Sequence, residues 1–465
     1  MSTSRRLAFG HPKPLPGGGA LKRRGFATLF VFLVIVFGAI IVSMVQTASY
    51  AQAAAGRESL ARVRAHWAAR GGLEMALSRL EKIRDESDNP AAYDMLDSMA
   101  QVADGELDGA TWRVRSLQGG KEVSGPADCA ARINLGRVNS DILLSIEPFM
   151  SEDTVDAILD WMDEDDDTRE MGAELGYYRG LRYPFEPRNG MPRSIAEMEL
   201  MAGVDPESVR GEDWNLNGLL DPNEDDGDAS WPPDNADGIL DRGWSGLLTV
   251  YSVEQNRGPS GEPKLELPAA KENDLVTRLG ISNDQAKAIV DYMDTVQGAT
   301  LTEFVRQTLP RLAQQAARSR GATRQEIQQA GRVRDLSTEQ LGKLLDETSM
   351  FPPEILSYVP GRININTCDA TTLDYLPMIE PELADSIIAE RSSKTNGFEN
   401  LAELLEVDGM SRQTLATIVE LLCVRSNVYE LTSKGVDEKT GLEVEIVAVM
   451  DASTLPAALR EVRVR

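Results

Sequence analysis

The most specific chemical pattern in the chain is the twelve-residue run Asp213-Trp214-Asn215-Leu216-Asn217-Gly218-Leu219-Leu220-Asp221-Pro222-Asn223-Glu224. Hard oxygen donors stand at positions one, three, five, nine and twelve, with a glycine at six for a sharp turn. Leu219 at seven offers its backbone carbonyl, Leu220 at eight is expected to pack inward, and Glu224 supplies two carboxylate oxygens. That is the chemistry of a calcium loop of the EF-hand type. A second, incomplete copy follows, in which Asn235, Asp237 and Asp241 fit around Gly238 while Pro233 and Trp244 occupy the end positions. Asp225, Asp226, Asp228 or Asp234 could complete it as a second calcium site. The ion would be structural, because it offsets carboxylate repulsion in a loop with few apolar residues to order it.

Catalytic chemistry has less material. Asp160, Asp163 and Glu174 could pair as acid and base in a hydrolase, but the same residues equally suit a solvated acidic helix end. Two histidines, His11 and His66, leave little for a histidine base or a histidine-rich metal site. Cys129, Cys368 and Cys423 are too few for a disulfide framework, and one bridge is the most they can form. No catalytic residue is expected. With 48 basic against 74 acidic side chains, a net charge of -26, the surface is not built to neutralise phosphates.

The elements that position these residues begin with an unusual amino terminus. The first 25 residues hold Arg5, Arg6, Lys13, Lys22, Arg23 and Arg24 and no acid. Phe26 to Gly56 carries no charge, and Phe26 to Val45 is apolar and long enough to cross ~30 Å of hydrocarbon as a helix. The basic cluster places the leader in the cytoplasm and the rest on the far side. The helical pattern continues without proline to Lys82, with Leu60, Val63, Trp67, Leu73, Ala76 and Leu80 as its apolar side. At ~1.5 Å per residue it would reach roughly 85 Å.

Lys22-Arg23-Arg24-Gly25 followed by Phe26 and a long apolar helix resembles the type III signal of prepilins. The resemblance implies cleavage by a prepilin peptidase between Gly25 and Phe26, and methylation of the new amino terminus at Phe26. Most pilin-like subunits have a glutamate at mature position five, where this chain has Phe30. That departure is similar to the minor pseudopilin K family of type II secretion systems, and implies a subunit with no neighbour above it, at the tip. An ordinary signal peptide ending near Ala53-Ala54-Ala55, or an unprocessed signal anchor, are the competing readings.

Beyond the helix, residues 85–101 read as a polar connection and Thr111–Leu117 as a strand, with partners expected at Val428–Val436, Glu443–Asp451 and Leu459–Arg465. Between them runs a mainly helical insert with an internal repeat: Leu144, Met150, Val155 and Ile158; Leu275, Ile281, Ala286 and Ile289; Leu373, Ile379, Ala384 and Ile387. Each set reads as a helical hairpin, and the third resembles helix-hairpin-helix and SAM-like modules. Its turn, Pro377-Met378-Ile379-Glu380-Pro381, lacks glycine and carries an acid, which favours a structural hairpin over a phosphate clamp. The basic stretch within residues 300–346 has no counterpart in the family pattern.

The expected fold is α+β: a pilin-like long amino-terminal helix packed on a small antiparallel sheet, with a large mainly helical insert containing SAM-like or helix-hairpin-helix units. The expected segments are the leader (1–25), the transmembrane part of the helix (26–45), its periplasmic continuation with the first strands (46–132), a first SAM-like unit (133–205), the acidic calcium region (206–258), a helical insert with a degenerate repeat (259–358), a second SAM-like unit (359–425) and the closing strands (426–465). The resemblance implies a single-pass protein of the inner membrane with its bulk in the periplasm. Implied partners are I- and J-type minor pseudopilins, the major pseudopilin, the inner-membrane assembly platform and the prepilin peptidase. The function implied is capping the pseudopilus tip and helping initiate its assembly, with calcium as structural cofactor and no nucleic acid. The alternative is a membrane-anchored helix-hairpin-helix protein for DNA binding or uptake, or a minor type IV pilin.

Overall fold

The computed structural model describes residues 24–465 except 88–89, 92, 119, 147–149 and 353–358, and omits the side chains of residues 24 and 25. The leader through residue 23 therefore lies outside the described residues, as does most of the turn in the first repeat. Helix α1 runs from Arg24 to Glu86, 63 residues without a proline. The chain divides after Leu60 into two units. In the first, every side chain from Phe26 to Leu60 is exposed, and the run from Phe26 is apolar enough for a membrane span.

In the second unit α1 seats on the sheet through small residues. Ala61, Ala65, Ala68, Ala69, Leu73, Ala76 and Leu80 are buried, whereas Val63 and Trp67 are 52% and 57% exposed. The large side chains expected to face inward, Leu60, Val63 and Trp67, thus point away. The reason is close backbone approach: a Cβ on Gly435 would stand 1.9 Å from the Ala65 carbonyl oxygen, and the Ser433 hydroxyl donates to the Ala69 carbonyl at 2.8 Å. Bulky residues on that face would lift the helix off.

Helix α2 (Asp94–Ala100) replaces the expected polar connection, because Met95 and Met99 bury against the same core. The sheet then starts with β1 (Asp104–Leu107), β2 (Ala110–Gln118), β3 (Lys121–Ser124) and β4 (Ala127–Asp128), and finishes with β5 (Val428–Asp437), β6 (Glu443–Asp451) and β7 (Ala458–Val464). Its order is β1-β2-β5-β6-β7, with β3 beside β2 and β4 beside β5, all antiparallel. The junction between the two halves of the sequence pairs Thr432 with Arg115 through to Asp437 with Ala110.

The insert repeats one plan three times. Helix pairs Ser140–Ser145 and Glu152–Met162, Glu272–Leu279 and Asn283–Thr295, and Ala370–Asp374 and Pro381–Ser393 correspond to the three repeat copies. Eleven of the twelve repeat residues are buried; in the first copy Leu143 takes the place expected for Leu144, which is 37% exposed. Each copy is enclosed by a two-residue parallel pairing: Ile133–Asn134 with Leu248–Thr249, Leu265–Glu266 with Thr348–Ser349, and Ile363–Asn364 with Leu422–Cys423. One hydrophobic cluster runs through all three, from Ile133 to Val424, separate from the cluster beneath α1. Residues 300–346 belong to the middle copy, where Leu309, Leu312, Ala316, Leu341 and Leu344 supply buried side chains.

Candidate metal centre

The run Asp213–Glu224 forms a tight loop whose own spacing closes it. The Asp213 carboxylate, fully buried, accepts from the amides of Asn217 (2.9 Å) and Gly218 (3.0 Å). Asn215 Oδ1 accepts from the Asn217 amide at 2.8 Å, and Asn217 Oδ1 from the Leu219 amide at 2.7 Å, the side-chain-to-backbone turns that short Asn and Asp side chains favour. Gly218 takes φ +68°, the left-handed turn that position six requires. Glu224 closes the loop, its oxygens accepting from the amides of Trp214 (3.2 Å) and Asp221 (3.1 Å). The expected inward residue differs: Leu216 and Leu219 are buried while Leu220 is half-buried, because the loop lies against the sheet instead of between two paired helices. Only the five-residue helix Pro206–Arg210 precedes it and a single 3-10 turn, Pro222–Glu224, ends it.

Strand residues hold the loop there. Thr432 Oγ1 donates to the Asn217 carbonyl at 2.6 Å, Arg463 Nη2 donates to the Leu216 carbonyl at 2.9 Å, and Asn217 Nδ2 reaches Glu445 Oε2 at 3.0 Å. Asp221 is the electrostatic centre: Lys434 Nζ lies 2.8 Å from one oxygen, and the amide groups of Asn215 and Asn217 donate to the other at 2.7 and 2.9 Å. Although burial alone would raise its pKa, these partners bring Asp221 below the usual carboxylate range. Glu224 goes the other way, pushed up to about 7 by burial and by the neighbouring Asp213 and Asp221 charges. Beneath, the buried Glu430 is brought down to about 2: burial opposes ionisation, but Arg132 at 2.9 Å and Arg242 at 3.6 Å outweigh it. Arg242 also lies 3.4 Å from Asp213, joining the loop to this pair.

The donor set fits a divalent cation. Asp213, Asn215, Asn217, Asp221 and Glu224 lie in one loop with hard oxygen atoms, and the lysine and two amide groups now directed at Asp221 mark where positive charge is favoured. Binding requires the carbonyl oxygens of Asn215 and Asn217 to replace those amide groups. The second copy is looser. Asn235, Asp237 and Asp241 are exposed and close local turns onto the amides of Asp237, Ile239 and Gly243. Of the acids considered as completing groups, Asp225 accepts from the Gly238 amide and Asp234 from the Gly227 and Ala236 amides. Sequence reasoning missed Glu212, whose carboxylate accepts from the amides of Asn235 and Asp241 and ties both copies together. It also missed Lys434, Glu445 and Arg242; the first two are distant in sequence, and no local signal marks them. At the processing position, Phe26 is exposed on α1, and Gly25 lies within the same helix.

Residues 135–211 match the family model for protein K of the type II secretion system (T2SS), first domain, and residues 360–423 match a helix-hairpin-helix motif. Over residues 135–211 the chain is similar to type II secretion protein K. The protein K segment spans the first helix pair and Asp163–Glu174 and stops at Gly211, so the Asp213–Glu224 loop lies just beyond it. A similar solved structure is the GspK-GspI-GspJ complex from the enterotoxigenic Escherichia coli type 2 secretion system, at 13% identity and a TM-score of 0.43, covering 88% of this chain and 99% of that one. No curated protein matches. Protein K is a structural pseudopilin component of the secretion system, and the apolar start of α1 fits a membrane anchor.

Proposed function

We propose that this chain is the K subunit at the tip of a periplasmic pseudopilus, where it helps initiate filament assembly for export of folded proteins and performs no catalysis. The observation that carries this reading is α1, which holds an exposed uncharged run, Phe26–Val45, and further along a small-residue stripe that seats on the sheet. An apolar stem of this kind packs laterally with similar helices, first in lipid and then in a filament. The exposed face of α1 within the body, with Val63 and Trp67 beside Val464, offers apolar surface to a partner. Partners of the I and J type, with which the crystallised K is complexed, suit that surface, along with the major pseudopilin, the assembly platform and the prepilin peptidase. Amino-terminal sequencing of the protein recovered from inner membranes tests the reading. A start at N-methylated Phe26 is expected, and a start near Gly56, with the stem gone, overturns it.

The Asp213–Glu224 loop holds one structural calcium in this reading, with Asp213, Asn215, Asn217, Asp221, Glu224 and the Leu219 carbonyl as ligands. A second ion at Asn235, Asp237 and Asp241 would need Glu212, Asp225 or Asp234 as well. The helix-hairpin-helix match favours one further reading, DNA binding. Against it, the turn of that hairpin has Met378 at φ +63° where a phosphate clamp uses glycine, and Glu380 follows. Retention of the full chain on duplex DNA that weakens with salt would promote this reading, and no retention at low salt removes it.

A further inference from the structure

Where the insert meets the sheet, the chain gathers positive charge. A cavity of about 140 Å³ at this junction is lined by Arg84 near the end of α1, by Arg257 and Lys264 from the segment entering the middle copy, and by Arg362 and Arg425 on either side of the third copy. Glu254 and Asp346 complete its charged lining, so five cations face two carboxylates in a chain whose net charge is -26. Two apolar clusters end here without merging: Val424 comes from that of the insert, Met95 and Tyr429 from that beneath α1, and all three reach the same cavity.

The protein's own acids leave most of that charge unmet. Glu254 is taken by Arg362, whose Nε lies 2.8 and 2.9 Å from its two oxygens. Among the described residues, Arg257 and Arg425 donate only to backbone carbonyls, of Gly261 at 2.7 Å and Pro90 at 3.2 Å. The half-buried Lys264 ammonium has neither a hydrogen bond nor a salt bridge among them. Glu347, another acid near it, is held by Arg278 at 2.6 Å and by the Ser260 hydroxyl at 2.9 Å. Burial, with Arg362 beside it, pushes the Lys264 ammonium below its usual range against the pull of Glu254 and Asp346. A cation withdrawn from water without an acceptor is costly, and native proteins ordinarily supply one.

We propose that this cavity binds a small oxyanion, a phosphate or a carboxylate, received by Lys264, Arg257 and Arg425. Hydrogen bonds from ammonium and guanidinium groups to such oxygens are among the strongest available, and the planar fork of arginine matches either anion. At ~30 Å³ for each water-sized group the cavity has room for roughly five, about the heavy-atom count of a phosphate or a short carboxylate. The anion ties the end of α1, the middle copy and the approach to β5 together by charge, at the place where the two apolar clusters do not join.

The test is titration calorimetry of the full-length chain in detergent at fixed pH and ionic strength, with sulfate standing for phosphate and succinate for a carboxylate. One saturating site per chain is expected, and whichever anion binds more tightly names the chemistry. Lys264→Met should weaken that site by roughly tenfold or more. If Lys264→Met does not fold, the exposed Arg257→Gln decides, with weakening of the same order expected. Arg318→Gln, an exposed arginine outside the cavity, should bind as the parent does. The absence of saturating heat from both anions overturns the proposal. So does an unchanged affinity in the folded cavity variant, or weakening that Arg318→Gln shares equally.

Discussion

Asp213–Glu224 and Asp163–Glu174 draw on the same side chains and end in opposite electrostatic states. In the first, each oxygen of Asp213, Asp221 and Glu224 accepts a hydrogen bond, from loop amides, asparagine side chains or Lys434. In the second, Arg169 serves Asp160 and half of Asp163, and Glu174 is left with nothing. The alternating spacing of the first brings its own donors, because Asp and Asn at every second position turn the backbone amides inward. The second has no such period, so its chemistry emerges only from how the chain returns on itself. A regular motif is therefore legible and largely self-satisfied, whereas the irregular cluster shows in sequence only as acids that could pair, Asp160, Asp163 and Glu174, and its arrangement emerges in the fold.

The largest expected effect undercuts the foundation of the first region. Glu430→Gln removes the charge that Arg132 and Arg242 share beneath the loop, leaving Arg132 buried without its counter-ion, and should cost about 3–5 kcal/mol in denaturant unfolding. The same residue sets an acid limit. Its folded pKa, about 2, lies below the ordinary 4.5, so its contribution is fully present above pH 4.5 and is lost as pH falls toward 2. That contribution is roughly 3 kcal/mol. Unfolding measured across that window should show a steeper acid loss in the parent than in Glu430→Gln. Equal slopes would mean that the arginines, not the carboxylate, define the site.

How much of this was written in the sequence varies with the range of the interaction. Strand β6 was expected at Glu443–Asp451 and forms there, and β5 differs by one residue, because alternation and turn residues are local. The repeat was legible because a hairpin core has a fixed period, and its one error, Leu144 for Leu143, falls beside the turn of the first copy. The inward face of α1 was misread since hydrophobicity favours Val63 and Trp67, whereas Gly435 and Ser433 on a strand more than 360 residues away admit only alanines. Helix α2 was missed because two methionines among acids give too faint a periodic signal. In the metal loop the spacing identified the donors but not Lys434, Glu445 or Arg242, which the sheet and the chain's return deliver.

Next in size is removal of calcium itself. At a free concentration a hundredfold above its dissociation constant, an ion that binds only the folded chain contributes about 2.7 kcal/mol. Excess EDTA should therefore lower the calorimetric midpoint of the full chain in detergent by a few degrees. Glu224→Gln should remove part of that shift, and any share that Glu174→Gln removes ranks the second region against the first. An identical midpoint with and without EDTA would leave both regions as purely proteinaceous.

The smallest effect is the most discriminating between the regions. Lys434 lies 2.8 Å from Asp221 and 3.5 Å from Glu445, with 26% of its side chain exposed, so as a partly solvated pair it contributes under about 1 kcal/mol. A divalent ion must compete with that ammonium for Asp221. Lys434→Met should then lower metal-free stability only slightly while tightening calcium at the loop by roughly threefold to tenfold. Calorimetric titration in a Glu174→Gln background isolates the loop for this measurement. Weaker binding in Lys434→Met would assign the lysine a different part, holding Asp221 and Glu445 in place for the ion, and the contrast with Arg169, which clamps Asp160 and Asp163 in the other region, would dissolve into a shared design.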